Sequence, residues 1–378
     1  MMKRHDSQYD LAIVGAGFAG LAAAATAAAR DLRVVVLEAK PRSGAQVHTT
    51  GILVKEAGEE LDFPPALTKK IHGVRLYAPN LKYVDLSAPG YYFYATDTDA
   101  LLDWMALRAR DAGATILTST PFRQACVRGG SVELEPAGVR TKFVIGADGP
   151  LSQVARAFNL GTNSQFLRGV EAAFPFVGRD DDVLHCFLDS TVAPGYLGWM
   201  VPGIGVRQIG LALKQKCKPD LAGFIKKIAP ATGSAGESPS EIRGGLIPCG
   251  GAVAPIANQN VLLVGDAAGL VSPLTGGGIH RALSYGRKAA LSVCDFLQDG
   301  GAHPGIVMAR EYPRFVLKRL LRSAIDLNPP NVFYDALLST GMFRSFARTI
   351  FFNSRCETAD RELDMGSRRS KASHLRAA

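Results

Sequence analysis

The N-terminal part of the chain alternates between strand-like and helix-like segments. Residues 9–14 and 33–37 are short apolar runs of the kind found in buried strands. Between them, residues 21–30 are mostly alanine, which favours a helix. Strand, helix and strand in this order form the unit from which doubly wound α/β folds are built. The pattern therefore predicts an α/β domain at the start of the chain.

Further along the chain, strand-like and helix-like segments are segregated. Runs at 74–86, 91–94, 183–188 and 207–213 predict strands. Residues 101–112, 280–297 and 315–327 have helical spacing, and the last of these is amphipathic and basic, with a break at 328–331. We expect the α/β domain to be discontinuous, with a second, sheet-rich domain inserted and a helical segment at the end. The predicted divisions are 1–60, 100–160 and 245–300 for the first domain, 61–99 and 161–244 for the second, 301–364 for the helices and 365–378 for a disordered tail.

The composition is ordinary for a soluble protein with a large core, but the charge is not balanced. Of 378 residues, 47% are hydrophobic, and the formal net charge is +9. Two explanations stay open for the basic excess: a solvated helix and tail, or attraction to an anionic surface or substrate such as phospholipid or diphosphate. No nucleic-acid recognition module is present, so we expect no nucleic-acid partner. The late basic residues are Lys318, Arg319, Arg322, Arg344, Arg348, Arg355, Arg361, Arg368, Arg369, Lys371 and Arg376.

The cysteine content and the uncharged segment 11–29 indicate the cellular compartment of the protein. The six cysteines form no CxxC pair, which argues against a metal site or a disulfide scaffold and is typical of a reducing compartment. Residues 11–29 are mostly glycine and alanine, so we interpret them as neither a signal peptide nor a membrane span. We expect a cytoplasmic protein that makes peripheral contact with the inner face of the membrane through its basic C-terminal helix.

The first strand leads into a glycine-rich turn, residues 15–20 (GAGFAG). In the βαβ context, Gly15 permits the tight turn, Gly17 lets the backbone approach a pyrophosphate, and Gly20 lets helix and strand pack closely. The helix N-terminus offers free amides and a positive dipole end to the phosphates. Glu38 follows the second strand, where an acid bonds the adenosine ribose. The predicted contacts also include Phe18, Ala19, Ala39 and Arg42.

Two later segments favour FAD over NAD. Residues 143–150 (FVIGADGP), with Asp148, resemble the DG motif of the glutathione-reductase-type FAD proteins. Residues 261–268 (VLLVGDAA) resemble their GD motif, and this resemblance implies that Asp266 bonds the ribityl chain of the flavin, although it could also cap a helix. Consecutive glycines before the next helix would let the backbone approach a large flat ligand. The predicted FAD contacts here are Gly265, Asp266, Pro273, Gly276, Gly277, Gly278 and Ile279.

The segment 193–202 (APGYLGWMVP) resembles the PxxYxWxFP motif of the geranylgeranyl reductase family. Pro194, Trp199 and Pro202 are in register. A leucine replaces the motif tyrosine, and Tyr196 lies one place earlier. Residues 244–290 also resemble this family, so the likeness covers most of 8–300. Family members often carry a Cys-Gly near 46–51; this chain has no cysteine there, and His48 lies near that place.

The resemblance implies that hydride passes from reduced FAD to one carbon of a C=C bond in an isoprenoid chain, while a proton reaches the other carbon. The candidate catalytic residues are His48, as a polar group or proton donor, and Tyr196 and Trp199, as walls of an apolar tunnel. Alternatively, His48 is an ordinary loop histidine, and Tyr196 and Trp199 are ordinary core residues. His280 faces the same choice, but a positive helix end disfavours its imidazolium. The electron donor is NADPH or a ferredoxin.

Other flavoproteins share the FAD motifs, so three alternatives stay open. A class A monooxygenase is the first, although the arginine that often precedes the helix at 101 is missing from 96–99. A flavin-dependent halogenase is the second, and it requires a WxWxIP motif of which only Trp199 and Pro202 are present. The third is a protein that binds FAD without net redox turnover. The family resemblance favours a hydrophobic or lipid substrate, and the sequence does not determine the oligomeric state.

Overall fold

The computed structural model describes residues 8–176, 182–233 and 238–353. The predicted tail at 365–378, and the end of the predicted helical segment from 354, lie outside these ranges. The strands are β1 (Gln8–Val14), β2 (Val34–Leu37), β3 (Ile52–Val54), β4 (Thr68–Ile71), β5 (Gly73–Tyr77), β6 (Tyr83–Leu86), β7 (Phe93–Thr96), β8 (Thr115–Leu117), β9 (Gln124–Arg128), β10 (Ser131–Glu135), β11 (Val139–Gly146), β12 (Phe166–Pro175), β13 (Val183–Phe187), β14 (Gly198–Pro202), β15 (Val206–Lys214), β16 (Glu241–Pro248) and β17 (Val261–Leu263). The helices are α1 (Phe18–Ala28), α2 (Lys55–Leu61), α3 (Thr98–Asp111), α4 (Gln153–Ala157), α5 (Leu221–Thr232), α6 (Ile279–Asp299), α7 (Pro304–Glu311), α8 (Val316–Asp326), α9 (Asn331–Leu338) and α10 (Gly341–Arg348).

The first sheet has a parallel centre in the order β8-β2-β1-β11, and β17 adds to β11 in parallel. Strands β10 and β9 extend the sheet by antiparallel pairing. The central strands are buried on both faces, which is why they read as continuous apolar runs rather than alternating ones. Their carboxyl ends carry the glycine turn after β1, Glu38 after β2 and Asp266 after β17 at one edge of the sheet.

Close packing of α1 against α6 depends on small residues. A Cβ on Gly286 would lie 2.4 Å from the carbonyl oxygen of Ala19, and a Cβ on Gly265 would lie 2.9 Å from the Cβ of Ala19. Phe18 and Ala19 are both buried. Ala19 therefore packs against the turn after β17 and against α6, which brings the first and last motifs of the fold together.

The second sheet is mostly antiparallel and has the order β16-β12-β15-β14-β13-β5-β6. A small third sheet has the order β3-β7-β4, and β5 and β6 of the second sheet lie between β4 and β7 in the chain. The run predicted at 74–86 is a hairpin of β5 and β6 rather than one strand. The strands of the second sheet come from residues 73–86 and 166–248, while the division into domains stays a proposal.

The predicted class, an α/β Rossmann-type domain with an inserted sheet and C-terminal helices, is confirmed. Helix α3 begins earlier than predicted, because the Asp97 side chain accepts a hydrogen bond from the amide of Ala100 and caps it. The uncharged segment 11–29 is divided between β1 and α1. None of the helices in the described ranges is both long and apolar enough to cross a membrane.

Candidate active site

The N-terminus of α1 is shaped for close approach of a phosphate. Gly15 has a φ of +101°, and a Cβ there would lie 2.4 Å from the carbonyl oxygen of Ala147. A Cβ on Gly20 would lie 1.9 Å from the carbonyl oxygen of Gly15. Gly17 is the N-cap residue, and no described heavy atom lies within 4 Å of its Cβ position. Open space before the first amides of a helix is the geometry with which such a terminus binds pyrophosphate.

Glu38 links the turn after β1 to the segment after β2. Its Oε2 accepts a hydrogen bond of 2.7 Å from the amide of Ala16, and its Oε1 accepts one of 2.9 Å from the amide of Lys40. A carboxylate has about four acceptor positions, so each oxygen retains capacity for a ribose hydroxyl. The two amides fix the position of the Glu38 carboxylate, and its contact with a ribose stays a proposal.

Ala39 and Arg42, the other predicted contacts after β2, lie at the surface. Ala39 is exposed. The Arg42 guanidinium pairs with the carboxylates of Asp103 and Asp99 in α3. Arg42 is thus engaged by its own chain, and its contact with a cofactor stays a proposal.

Asp148 of the DG motif also bonds its own chain. Its carboxylate accepts hydrogen bonds from the Ser152 hydroxyl at 2.6 Å and from the amides of Gln153 and Val154 at 2.7 and 3.0 Å. Burial raises the pKa of this carboxyl. The geometry makes Asp148 a cap for α4 and leaves its predicted cofactor contact a proposal.

The Asp266 carboxylate is different, because no described residue donates a hydrogen bond to it. Asp266 follows β17 in a short 3-10 turn, Gly265–Ala268, in which Gly265 has a φ of +58°. Its Oδ1 lies 3.6 Å from the Cβ position of Gly278, the N-cap residue of α6. Burial raises the pKa of Asp266 to about 6. A buried polar group without a partner marks a place where a ligand donor fits.

The segment between Asp266 and α6 is a tight turn of small residues. The amide of Gly276 donates to the carbonyl oxygen of Ser272, and the amide of Ser272 donates to that of Gly277, each at 3.0 Å. Pro273 before the turn is buried, and Ile279 begins α6. The turn presents main chain rather than side chains, as contact with a large flat ligand requires.

Tyr196 contacts this glycine turn. Its hydroxyl donates a hydrogen bond of 2.6 Å to the carbonyl oxygen of Thr275, and a Cβ on Gly276 would lie 2.6 Å from the hydroxyl oxygen. Burial raises the pKa of Tyr196 well above its usual value, so the phenol is neutral at physiological pH. The structure therefore brings the 193–202 segment against the predicted flavin-binding turn.

Trp199 belongs to a buried polar network centred on Glu171. Its Nε1 donates a hydrogen bond of 2.6 Å to Oε2 of Glu171, which also accepts one of 2.7 Å from the Thr50 hydroxyl. Oε1 of Glu171 pairs with the Arg243 guanidinium at 2.7 Å. The indole ring covers Gly210, whose Cβ would lie 2.6 Å from a ring carbon. The orientation of Trp199 is thus fixed by hydrogen bonding as well as by packing.

His48 is exposed and lies beside β16. A Cβ on Gly245 would lie 3.2 Å from the His48 Cβ. In the described ranges, no residue hydrogen-bonds to its imidazole, so the ring is available to a substrate or to water.

His280, the less favoured histidine, has a structural partner. Its Nε2 lies 2.9 Å from Oε1 of Glu60, which also pairs with Arg287. Burial alone would raise the pKa of Glu60, but His280 and Arg287 together lower it below its usual value. His280 therefore joins α2 to α6 through this ion pair.

Each of the three candidate catalytic residues is linked to one face of β16, directly or through one intervening residue. Side chains two apart on a strand share a face. On this face Arg243 pairs with Glu171, which accepts the hydrogen bond from Trp199. Gly245 contacts His48. Ile247 lies beside Gly276, which Tyr196 contacts.

A row of small residues crosses this face between the bulky ones. Gly245 pairs with Gly169, and Gly169 pairs with Ala212. The nearest atoms to a Cβ on Gly169 would be 3.8 Å away. The neighbouring rows carry Trp199 on one side and Ile247 on the other. We refer to the row Gly245, Gly169 and Ala212 as the trough.

Sequence reasoning missed Glu171, Gly169 and the trough. The sequence contains a weak indication, since 166–175 (FLRGVEAAFP) holds a glycine and a carboxylate inside a mostly apolar strand. A glycine in a strand often marks a close approach by a ligand or another backbone. The pairing of Gly169 with Gly245 and Ala212 depends on distant strands, which the sequence order does not reveal.

The residues present fit FAD. Open space at Gly17, an unpartnered carboxylate on Asp266 and a main-chain turn at Gly276 lie along one edge of a Rossmann-type sheet, where ligands of such folds bind. The fold and this site define an FAD-dependent oxidoreductase.

Comparison with known proteins identifies the family. Residues 13–75 match the family model of the NAD(P)-binding Rossmann-like domain. The chain is 31% identical over 322 residues to digeranylgeranylglycerophospholipid reductase 2 of Methanopyrus kandleri, covering 77% of this chain and 78% of the relative. It is 28% identical to geranylgeranyl diphosphate reductase of Rhodobacter capsulatus, covering 78% and 77%. The chain belongs to the geranylgeranyl reductase family.

Solved structures agree in fold. A geranylgeranyl bacteriochlorophyll reductase-like protein from Thermoplasma acidophilum superposes with a TM-score of 0.80 at 22% identity, covering 91% of this chain and 96% of that one. A probable FAD-dependent monooxygenase from Pseudomonas aeruginosa has a TM-score of 0.67 at 18% identity, covering 87% and 100%. The fold is thus shared with monooxygenases, and sequence identity places the chain with the reductases.

Proposed function

We propose that the protein reduces C=C bonds of a geranylgeranyl-type isoprenoid chain carried by a lipid or diphosphate. When bound, reduced FAD supplies the hydride. The observation that carries the proposal is that His48, Tyr196 and Trp199 are each linked to one face of β16, directly or through one intervening residue, and that Tyr196 contacts the turn at Gly276. The relatives' names support the substrate class.

The trough suits an extended hydrocarbon. Gly245, Gly169 and Ala212 place nothing larger than a methyl group on this face of three strands, and Trp199 stands on one side. A rigid indole offers a large apolar surface at little cost in side-chain entropy. An isoprenoid chain laid along the trough would displace water from the reacting double bond.

We assign distinct roles to the three candidates. Trp199, held by Glu171, forms a wall of the substrate site. The Tyr196 hydroxyl already donates a hydrogen bond to the carbonyl oxygen of Thr275, so Tyr196 holds the 193–202 segment against the glycine turn. His48 is exposed, and its imidazole can deliver a proton to the second carbon.

We further propose which residues hold FAD and which donor reduces it. Main-chain atoms and carboxylates at the edge of the first sheet bind the cofactor. NADPH or a ferredoxin supplies the electrons, and stopped-flow reduction by each under anaerobic conditions separates them. The proposed FAD-binding residues are Gly15, Gly17, Phe18, Ala19, Gly20, Glu38, Ala39, Arg42, Asp148, Gly265, Asp266, Pro273, Gly276, Gly277, Gly278 and Ile279.

Anaerobic mass spectrometry tests the proposed reaction. Purified holoprotein reduced with dithionite is incubated with a geranylgeranyl lipid or with geranylgeranyl diphosphate. We expect mass gains in steps of two hydrogens, and a slower gain with His48→Gln at unchanged FAD content. No gain with either substrate, combined with oxygen-dependent NAD(P)H consumption on aromatic substrates, would instead assign the protein to the monooxygenases.

A further inference from the structure

Helix α8 has the reverse of the polarity expected for a surface helix. Val316, Leu317 and Leu320 are 65%, 68% and 64% exposed, whereas Arg322 is 2% exposed. At about 100° per residue, the three apolar side chains lie within one sector and Arg322 lies opposite. A helix of a globular protein normally places its apolar stripe inward. This helix places it outward.

Exposed apolar side chains continue along the next two helices. Leu327, just after α8, is 84% exposed, Val332 in α9 is 76% exposed, and Met342 in α10 is 86% exposed. Single exposed apolar residues are common, but a run of them over consecutive helices marks an interaction site. We refer to the exposed apolar side chains of this region together as the apolar face: Val316, Leu317, Leu320, Leu327, Val332, Phe333, Met342 and Phe346.

Hydrogen bonds on the inner side hold α8 in this orientation. Arg322 donates to the carbonyl oxygen of Gly195 and pairs with Asp326. The side chain of Asn328 accepts a hydrogen bond of 3.1 Å from the amide of Gly195. The side chain of Asn331 accepts bonds from the amide and hydroxyl of Ser190 at 2.8 and 2.7 Å. The loop 190–196 is therefore fastened to the inner side of the helix whose outer side is apolar.

The charges around the apolar face are positive. Arg314, Arg319, Arg344 and Arg348 are exposed. The acidic residues between 314 and 348 are Asp326 and Asp335; Asp326 is paired with Arg322, and Asp335 accepts a hydrogen bond from the amide of Asn80. Apolar side chains flanked by arginines suit the headgroup layer of an anionic bilayer. Pairing of this face with a second copy of itself is disfavoured, because it would bring the arginines of the two copies together.

We propose that the apolar face is a docking surface for an anionic phospholipid bilayer. Docking places the loop 190–196, which is fastened to the inner side of α8, one helix diameter (~10 Å) from the lipid surface. The idea that the docked lipid includes the substrate rests on the proposed function, whereas the docking itself does not.

Vesicle flotation of the full-length holoprotein tests the surface. We expect flotation with phosphatidylcholine vesicles that contain phosphatidylglycerol, and less with phosphatidylcholine alone. The double substitution Leu317→Glu and Leu320→Glu should lower the bound fraction at least ~10-fold, because two charges would enter the acyl boundary. Leu107→Glu is the matched control, since Leu107 is 56% exposed on α3, and it should float like the wild type.

Three results would overturn docking. They are absence of wild-type flotation, equal flotation of the double variant, and a concentration-dependent dimer in sedimentation that the double variant abolishes. An activity assay separates this proposal from the reaction. The double variant should reduce detergent-dispersed substrate at the wild-type rate but vesicle-embedded substrate more slowly. If the wild type reduces neither, the proposed reaction fails while the flotation result still decides the docking surface.

Discussion

The indole Nε1 of Trp199 donates a hydrogen bond of 2.6 Å to Oε2 of Glu171, and both side chains are buried. The same carboxylate pairs with Arg243 and accepts the Thr50 hydroxyl. One charged group therefore joins the segment next to His48, the wall of the trough and β16. Because a buried charge is costly without partners, this network tolerates few alternative arrangements.

Glu171→Gln tests whether charge holds this network together. The amide oxygen can still accept one hydrogen bond, but the nearly buried Arg243 loses its counter-ion. We expect a loss of about 3 kcal/mol in the free energy of unfolding, measured by urea denaturation. Glu133→Gln in β10 is the control and should change stability by less than about 0.5 kcal/mol. Equal stability of the two variants would show that packing alone orients Trp199.

Gly169→Val tests the trough as the substrate site. The Cβ would make only ordinary contacts, so the strand should fold, but the added methyl groups would occupy the trough floor. We expect KM for the isoprenoid substrate to rise about tenfold, with FAD content unchanged, because roughly 1.4 kcal/mol of substrate binding is lost. Gly73→Val, in the equally open β5, should leave KM unaltered. A wild-type KM in Gly169→Val would show that the isoprenoid substrate does not bind in the trough.

Gly17→Ala separates cofactor binding from folding. The open space at the Gly17 Cβ position means that the protein alone accommodates alanine, whereas a pyrophosphate at the helix terminus would meet it. Titration with FAD should give a Kd raised at least ~10-fold, while the melting temperature of the FAD-free protein shifts little. Gly20→Ala, whose Cβ would meet the Gly15 carbonyl, should instead lower that melting temperature. Wild-type FAD affinity in Gly17→Ala contradicts the assigned site.

Asp266 should make the FAD-free protein lose stability as the pH rises. Burial raises its pKa from 3.8 to about 6, so between these values the folded protein binds a proton that the unfolded chain has released. Stability therefore falls as the pH rises through this window and levels off above it. Asp266→Asn removes this contribution. The free energy of unfolding of the variant, relative to that of the wild type, should therefore rise by roughly 2–3 kcal/mol as the pH increases from 4 to 7. The comparison uses urea denaturation across that range, and a constant difference would contradict the burial argument.

The local parts of the fold were predictable because their causes are local. The turn after β1 needs glycines at 15, 17 and 20 whatever surrounds it, and an apolar run that ends in Gly265-Asp266 directs a carboxylate to the edge of the sheet. The family motif at 193–202 was also visible. Helix α3 begins at Thr98 rather than at 101 because the Asp97 side chain caps its N-terminus, which the helical spacing alone does not indicate.

What the sequence determined by itself was the βαβ unit, the FAD motifs and the amphipathic spacing at 315–327. Only the tertiary structure decided which side of that helix faces outward, because Arg322 finds its partners in Gly195 and Asp326 and the leucines are left at the surface. It also decided that Gly169, Gly245 and Ala212 form one trough, since β12, β15 and β16 are distant in the chain. Spacing fixes the face of a single element, whereas pairing between distant elements depends on how the whole core closes.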